Sequence, residues 1–271
     1  MWPLEFRHDI VRVGARGVER WAWSPTGLVR AGHEDVGSEV GRAGADPHAL
    51  APALRALLAA GSSRRAHLVV ESAWLPVLRL ETGALWSRAQ LQALLRYRLA
   101  QLFDEPGRPA IAWELMLDHR AGEKQAIGYG LAPAVKEIVA KAGAEAGVRW
   151  ASMEPAFAWG WHRLRRQRPQ IAPAGWWLWQ EQDRSFVCHV AGRRVRAMNT
   201  AAAPLSDAEQ CRRAIAVERI RFGVDSNVTG GVVAGWDADL LTSGASDLAS
   251  VSVAAAASAA PSLPLQVRAA T

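Results

Sequence analysis

One arrangement of elements is written twice in this chain, and it constrains the architecture more tightly than any other feature. Three short strands, a helix and a returning strand run from about Asp9 to Glu71, and the same order runs from about Trp176 to Ala234. Each copy has the content of a self-contained lobe, and two facing lobes make a cleft. With 271 residues, 50% of them hydrophobic, the chain can bury a substantial core as one large domain or two small ones.

In the first copy, Ile10 to Val13, Val18 to Trp23 and Leu28 to Ala31 read as an antiparallel meander, with turns at Gly14-Ala15-Arg16-Gly17 and Ser24-Pro25-Thr26-Gly27. A helix from about His48 to Ala60 follows, with Leu50, Leu54, Leu57 and Leu58 on one face and Gly61 as its stop. His67 to Glu71 returns as a strand, which completes the core of a ribonuclease-H-like half. In the second copy the strands are Trp176 to Trp179, Ser185 to Val190 and Val195 to Met198. Its helix opens on a Ser206/Glu209 capping box and runs to about Phe222, with Cys211, Ala214, Ile215 and Phe222 inward. Val228 to Ala234, carrying Gly230-Gly231, is the fourth strand.

Between the copies the order changes. Leu75 to Leu80 is a strand, and Ser87 to Phe103 a helix with Leu91, Leu94, Leu95, Leu99 and Leu102 on one face. Ile111 to Leu117 and Gln125 to Leu131 form a hairpin, Pro133 starts a helix ended by Gly147, and Val148 to Met153 is a last strand. The sum is βαββαβ, a ferredoxin-like split unit. The predicted division is a first lobe at 1–73, an inserted subdomain at 74–153, a linking helix at 154–170 and a second lobe at 171–271. After Ala234 the chain is rich in Ala, Ser, Asp and Gly; Leu240 to Ala257 reads as a helix and Leu263 to Val267 as a strand, against the alternative of a frayed tail.

Net charge is +6, and Arg is clustered at 163–168, 193–196 and 212–221. Such clusters suit anionic lipid headgroups, an acidic partner or nucleic acid, or are simply solvated faces; no recognised nucleic-acid motif accompanies them. Cys188 and Cys211 carry no CxxC spacing and read as reduced core thiols of a cytosolic chain. The first residues lack an apolar signal region, and no run approaches the roughly 18 apolar residues of a membrane span. No GxSxG, HExxH, GxxxxGK or GxGxxG occurs, and Glu71-Ser72 at a strand end has no His at a diagnostic spacing. No catalytic residue and no metal site is expected.

Three stretches carry a family resemblance. AIGYGLAPAVKEIVAKAGAEAGVRWASMEPAFA (Ala126 to Ala158), HLVVESAWLPVLRLE (His67 to Glu81) and SFVCHVAGRRVRAMNT (Ser185 to Thr200) resemble the pilus assembly protein PilM, the cytoplasmic part of the type II secretion protein GspL, and their MshI and HofM relatives. The resemblance implies an α/β, actin-like fold with duplicated βββαβ lobes and the inserted βαββαβ subdomain. It also implies a cytoplasmic scaffold, peripheral at the inner membrane, that holds the tail of a PilN-like or GspM-like membrane protein and touches an assembly ATPase. The alternative is a nucleotide-binding ATPase or phosphotransferase of the actin-like superfamily.

Actin-like ATPases use a carboxylate in the first meander and Gly-rich hairpins whose amides approach phosphate. Gly14 and Gly17 are the candidates in the first lobe, with Asp9 upstream, but the family's Asp-hydrophobic-Gly is replaced by Arg12-Val13-Gly14. The matching second turn, Gln180 to Ser185, has no Gly. Gly230 and Gly231 resemble the Gly pair that packs under adenosine, or simply mark a strand end. The expectation is a vestigial site with no cofactor. Of the 13 Trp, Trp159, Trp161, Trp176 and Trp179 are candidate anchors for a partner peptide, or the packing of a lobe interface.

Overall fold

The computed structural model describes residues 8–24, 27–36, 47–82, 87–103, 113–119, 125–167, 174–201, 204–205, 207–224, 231–235 and 251–254. The chain divides into two compact units: Met1–Trp23 with Arg30–Ala156, and Ser24–Val29 with Phe157–Thr271.

The first unit is built on a five-stranded sheet of order β3-β2-β1-β4-β8. Its strands are β1 (Asp9–Val13), β2 (Gly17–Ser24), β3 (Gly27–Asp35), β4 (Arg65–Val70) and β8 (Arg149–Pro155). β1 pairs antiparallel with β2 and parallel with β4, and β4 pairs parallel with β8. Helix α1 (Leu50–Ala59) buries Leu50, Ala53, Leu54, Leu57 and Leu58, the stripe that the Leu spacing predicts. Helix α3 (Pro133–Glu145) buries Val135, Ile138, Val139 and Ala142, and its Glu145 accepts a charged hydrogen bond of 2.6 Å from Arg55 Nε of α1.

The second sheet of this unit has order β5-β7-β6, with β5 (Val77–Glu81), β6 (Glu114–Asp118) and β7 (Gln125–Leu131), all antiparallel. Helix α2 (Arg88–Phe103) lies on it through Leu91, Leu95 and Leu99, which join Leu80, Trp113 and Ala126 in one cluster. The approach requires Gly at positions 128 and 130 of β7: a Cβ there would come within 2.6 Å of Leu95 and 2.4 Å of Leu99. Leu102, expected on the inner face, is 54% exposed, because it falls beyond the end of the sheet-facing stripe.

The ferredoxin-like expectation for the insert needs correction. The order β, α, β, β, α, β is present, but its last strand, β8, joins β4 in the first sheet. Trp150 Nε1 donates to Val139 O at 3.0 Å, holding β8 under α3. Sequence order does not say which sheet edge a strand closes on, and a parallel crossover onto β4 satisfies the same pattern.

The second unit repeats the first sheet's order as β11-β10-β9-β12-β13. Its strands are β9 (Ala174–Gln180), β10 (Ser185–Ala191), β11 (Arg194–Ala201), β12 (Gly231–Gly235) and β13 (Val251–Ala254). β9, β10 and β11 are antiparallel neighbours, whereas β12 is parallel to both β9 and β13. The short run Val251-Ser252-Val253-Ala254 is thus a strand where the composition suggested a helix, since its alternating β-branched residues suit a pleated edge. Leu263 to Val267 lies outside the described residues.

Both faces of β9 are covered. Trp176 and Leu178 pack with Val187 under Cys211 and Ile215 of helix α5 (Ala208–Phe222). On the other face, Trp177 meets Phe157 and Trp161 of helix α4 (Ala156–Gln167) at centroid distances of 4.8 and 5.3 Å. Phe157 also stands edge-on to Phe186 at 5.1 Å. Such pairs add about 0.5–1.5 kcal/mol each beyond their area. α5 is capped by Asp207, whose side chain accepts Gln210 N–H at 2.8 Å, and ends at Gly223 with φ 62°. The cap therefore sits one residue after the predicted Ser206, itself outside the described residues.

Two outcomes test this packing. Gly160 of α4 faces the Trp179 ring so closely that a Cβ would lie 2.5 Å from it. Gly160→Val is expected to destabilise by about 1–3 kcal/mol, read from urea unfolding, through overpacking against a fixed ring. The thiols lie on opposite faces of the sheet: Cys188 is paired in register with Trp177, whereas Cys211 packs with Trp176. Burial pushes Cys188 well up and Cys211 to about 11, so thiolate is scarce at both. Iodoacetamide at mildly alkaline pH is expected to leave both unmodified in the native protein and to alkylate both in urea, as read by mass spectrometry.

Candidate functional site

The turn between β1 and β2 is where a nucleotide-binding lobe would present its amides, and here it is built around buried charge. Arg12 interrupts the apolar strand Ile10-Val11-Arg12-Val13, and register places Glu19 of β2 directly opposite it. Arg12 is also opposite Val69 of β4, so Glu71, two residues on, emerges on the same side. Arg12, Glu19 and Glu71 are 1%, 2% and 0% exposed.

Each group is matched. Arg12 donates through Nε to Glu71 Oε1 at 2.9 Å and through Nη2 to the same oxygen, while Nη1 donates to Glu19 Oε2 at 3.0 Å. Glu19 also accepts from Trp21 Nε1 at 3.3 Å and pairs with Arg30 at 3.3 Å. The second oxygen of Glu71 accepts the turn amide of Ala15 at 3.2 Å. Gly14 N–H donates to Gly17 O at 2.9 Å, and Gly14 O accepts from Trp74 Nε1 at 2.8 Å. Gly17 is required by β3: a Cβ there would lie 2.7 Å from the His33 ring and 2.8 Å from Glu34 O.

Gly14 and Gly17 are therefore together in one turn, as the sequence suggests, with a carboxylate from the chain itself beside it. Asp9 is not part of it. It starts β1, the opposite end of a five-residue strand from Gly14 and roughly 16 Å away at the usual rise. Half-burial raises the Asp9 carboxyl above its ordinary value, against the lowering influence of Arg20 and His8.

The corresponding turn of the second unit, between β9 and β10, is closed by its own groups. Glu181 N–H donates to Arg184 O at 2.9 Å. The Glu181 carboxylate, only 4% exposed in its residue, accepts from Trp179 Nε1 at 3.4 Å, and Arg184 Nε donates to Asp183 at 3.0 Å. Buried Ser185 accepts Leu205 N–H at 3.0 Å. Gly231 opens β12 beside Trp176, whereas Gly230 lies outside the described residues.

The partner-anchor expectation for the Trp residues is overturned. Trp159, Trp161, Trp176 and Trp179 are 9%, 7%, 1% and 0% exposed, because β9 is central in its sheet and α4 and α5 cover its two faces. They are core. Motif reading names Arg12 and Glu71 singly and passes over Glu19; the signal that joins them is opposite charges set in and at the end of apolar strands that are expected to pair.

Breaking the buried network by Glu71→Ala is expected to cost about 3–5 kcal/mol by removing the carboxylate that holds Arg12 Nε and Nη2, with Glu19 left on Nη1. Arg12→Met combined with Glu71→Leu should cost less than the two single changes together. A double-mutant cycle in urea checks this, and simple additivity would contradict the coupling.

No protein-family model matches the chain, and no curated protein matches it by sequence. Solved structures do match. One is a Bacteroides thetaiotaomicron protein described as having an actin-like ATPase fold and unknown function, at TM-score 0.53 and 9% identity over 88% of this chain and 87% of that one. The PilM–PilN type IV pilus biogenesis complex matches at 0.50 and 12%, over 84% and 81%. The cytoplasmic domain of EpsL, an inner-membrane component of the Vibrio cholerae type II secretion system, matches at 0.47 and 13%, over 88% and 86%. The first two, with the duplicated sheet order, show what this chain is at the level of architecture: an α/β protein of the actin-like fold.

Proposed function

We propose that this protein is an actin-like scaffold of a type IV pilus or type II secretion assembly platform, binding the cytoplasmic tail of a PilN-like inner-membrane protein without catalysis. The observation that carries the non-catalytic part is the Glu71 carboxylate on the Ala15 amide. A fixed anion on a turn amide competes with phosphate for the same donor and repels it. The second turn adds to this with Glu181 and Asp183 in place of glycine. The assembly part draws on the sequence resemblance and on the PilM–PilN match. On this reading the chain is peripheral at the membrane, recruited by its partner; among the described residues no helix is long and apolar enough to cross a membrane. A GspM-like protein and an assembly ATPase are further partners by the same resemblance.

Calorimetry with Mg-ATP is expected to show no binding in the micromolar range and no phosphate release. Immobilised peptide spanning the short cytoplasmic tail of a PilN-like inner-membrane protein is expected to retain the chain. Saturable Mg-ATP binding with turnover would sink the non-catalytic reading. Failure of the peptide alone would sink the assembly reading and leave the first intact.

A further inference from the structure

The second unit has two unlike ends. At the end where β9 runs into β10, Gln180, Ser185 and Leu205 tie the turn to the approach of α5. At the other end lies the β10–β11 hairpin, since Ala191 pairs with Ala174, the first residue of β9. α5 finishes toward this end: Phe222 and Val224 pack against the cluster that contains Trp176, near the start of β9. Asn199 of β11 donates to Glu218 of α5 at 2.7 Å, so α5 crosses the β10–β11 ladder at the level of the Val187–Asn199 pair, five residues along β11 from Arg194 at the turn.

The hairpin tip is basic: Arg193 and Arg196 are exposed, while Arg194 is half-buried. Its two-residue turn needs positive φ at both positions, and Gly192 (58°) and Arg193 (62°) supply it. Gly or Asn would take the second position with less strain, so the turn's geometry gives no reason for an arginine there. On the outer side of α5, Ile220 is 84% and Val217 55% exposed, and the same helix carries Arg221 and Arg213, the latter paired with Glu209 at 2.9 Å. The one carboxylate of this half of α5, Glu218, is buried and pairs with Arg221.

We propose that this end of the second unit docks on an anionic phospholipid bilayer. Phosphate groups meet the arginines of the hairpin and of α5, while Ile220 and Val217 enter the boundary between headgroups and acyl chains. A nucleic-acid backbone would satisfy the arginines but offers nothing to the exposed Ile220 and Val217. The contact is direct and does not depend on the scaffold reading, in which a protein partner does the recruiting.

Flotation of the full chain with phosphatidylglycerol-containing vesicles, against pure phosphatidylcholine vesicles, tests it. Binding is expected only to the anionic vesicles and is expected to fall as salt is raised. Ile220→Ser should weaken partitioning roughly tenfold with an unchanged melting temperature. Arg193→Gly should weaken it about fivefold while raising the melting temperature, since the glycine relieves the turn. Equal flotation with both lipids, or binding that neither substitution weakens, overturns the proposal. So does retention of poly-glutamate or single-stranded DNA in place of vesicles.

Discussion

Burying Arg12 dictates much of the first unit. A guanidinium inside the central strand of a mixed sheet has to be neutralised where it stands, and the two carboxylates that do so come from β2 and from the end of β4. The requirement acts on register, because a one-residue slip of either neighbour would turn its carboxylate to the opposite face. It acts on the turn as well, since the oxygen of Glu71 not used by Arg12 holds Ala15 N–H. The strand pairing and the hairpin conformation are thus set by one network, and that network needs no bound ligand to satisfy it.

The second unit reaches the same strand order by different chemistry. Its central strand carries three tryptophans and a leucine, all essentially buried, with α4 and α5 packed on its faces. Aromatic bulk replaces the ion network, and the turn is closed by a backbone hydrogen bond and local carboxylates. Two copies of one topology therefore share neither core chemistry nor turn chemistry. Topology is the level at which they agree, which is why the actin-like architecture is evident while no sequence relative is.

The duplicated order was legible because periodicity and turn residues are local. The Leu stripe of α1, the glycine stop of α3 at Gly147 and the hairpins all follow from spacing within a few residues. The fifth strand of each sheet was not legible in the same way. β8 looked like part of the insert because its pairing with β4 spans the whole of that insert, and β13 is four residues in an Ala-rich stretch. Gly14 and Gly17 were correctly joined in one turn, yet their reason differs: Gly17 is forced by the closeness of His33 and Glu34. The tryptophans were ambiguous for a physical reason too. Successive residues of a strand face opposite ways, so a Trp-Trp-Leu-Trp run must be either half exposed or doubly covered, and only the helices decide which.

The distribution of polar groups along the second unit adds a last constraint. At the β9–β10 end, Glu181, Asp183, Arg184 and Ser185 are turned onto one another and onto the backbone. At the opposite end, arginines and an isoleucine stand in solvent, one of the arginines in a left-handed conformation that the hairpin itself does not require. Stability alone would favour the reverse at that end: a glycine in the turn and a polar residue at position 220. A chain that ties one end together internally and leaves the other with a strained turn and exposed apolar side chains presents there a surface suited to meeting something else. In this unit that end is the one away from the turn that a nucleotide would occupy.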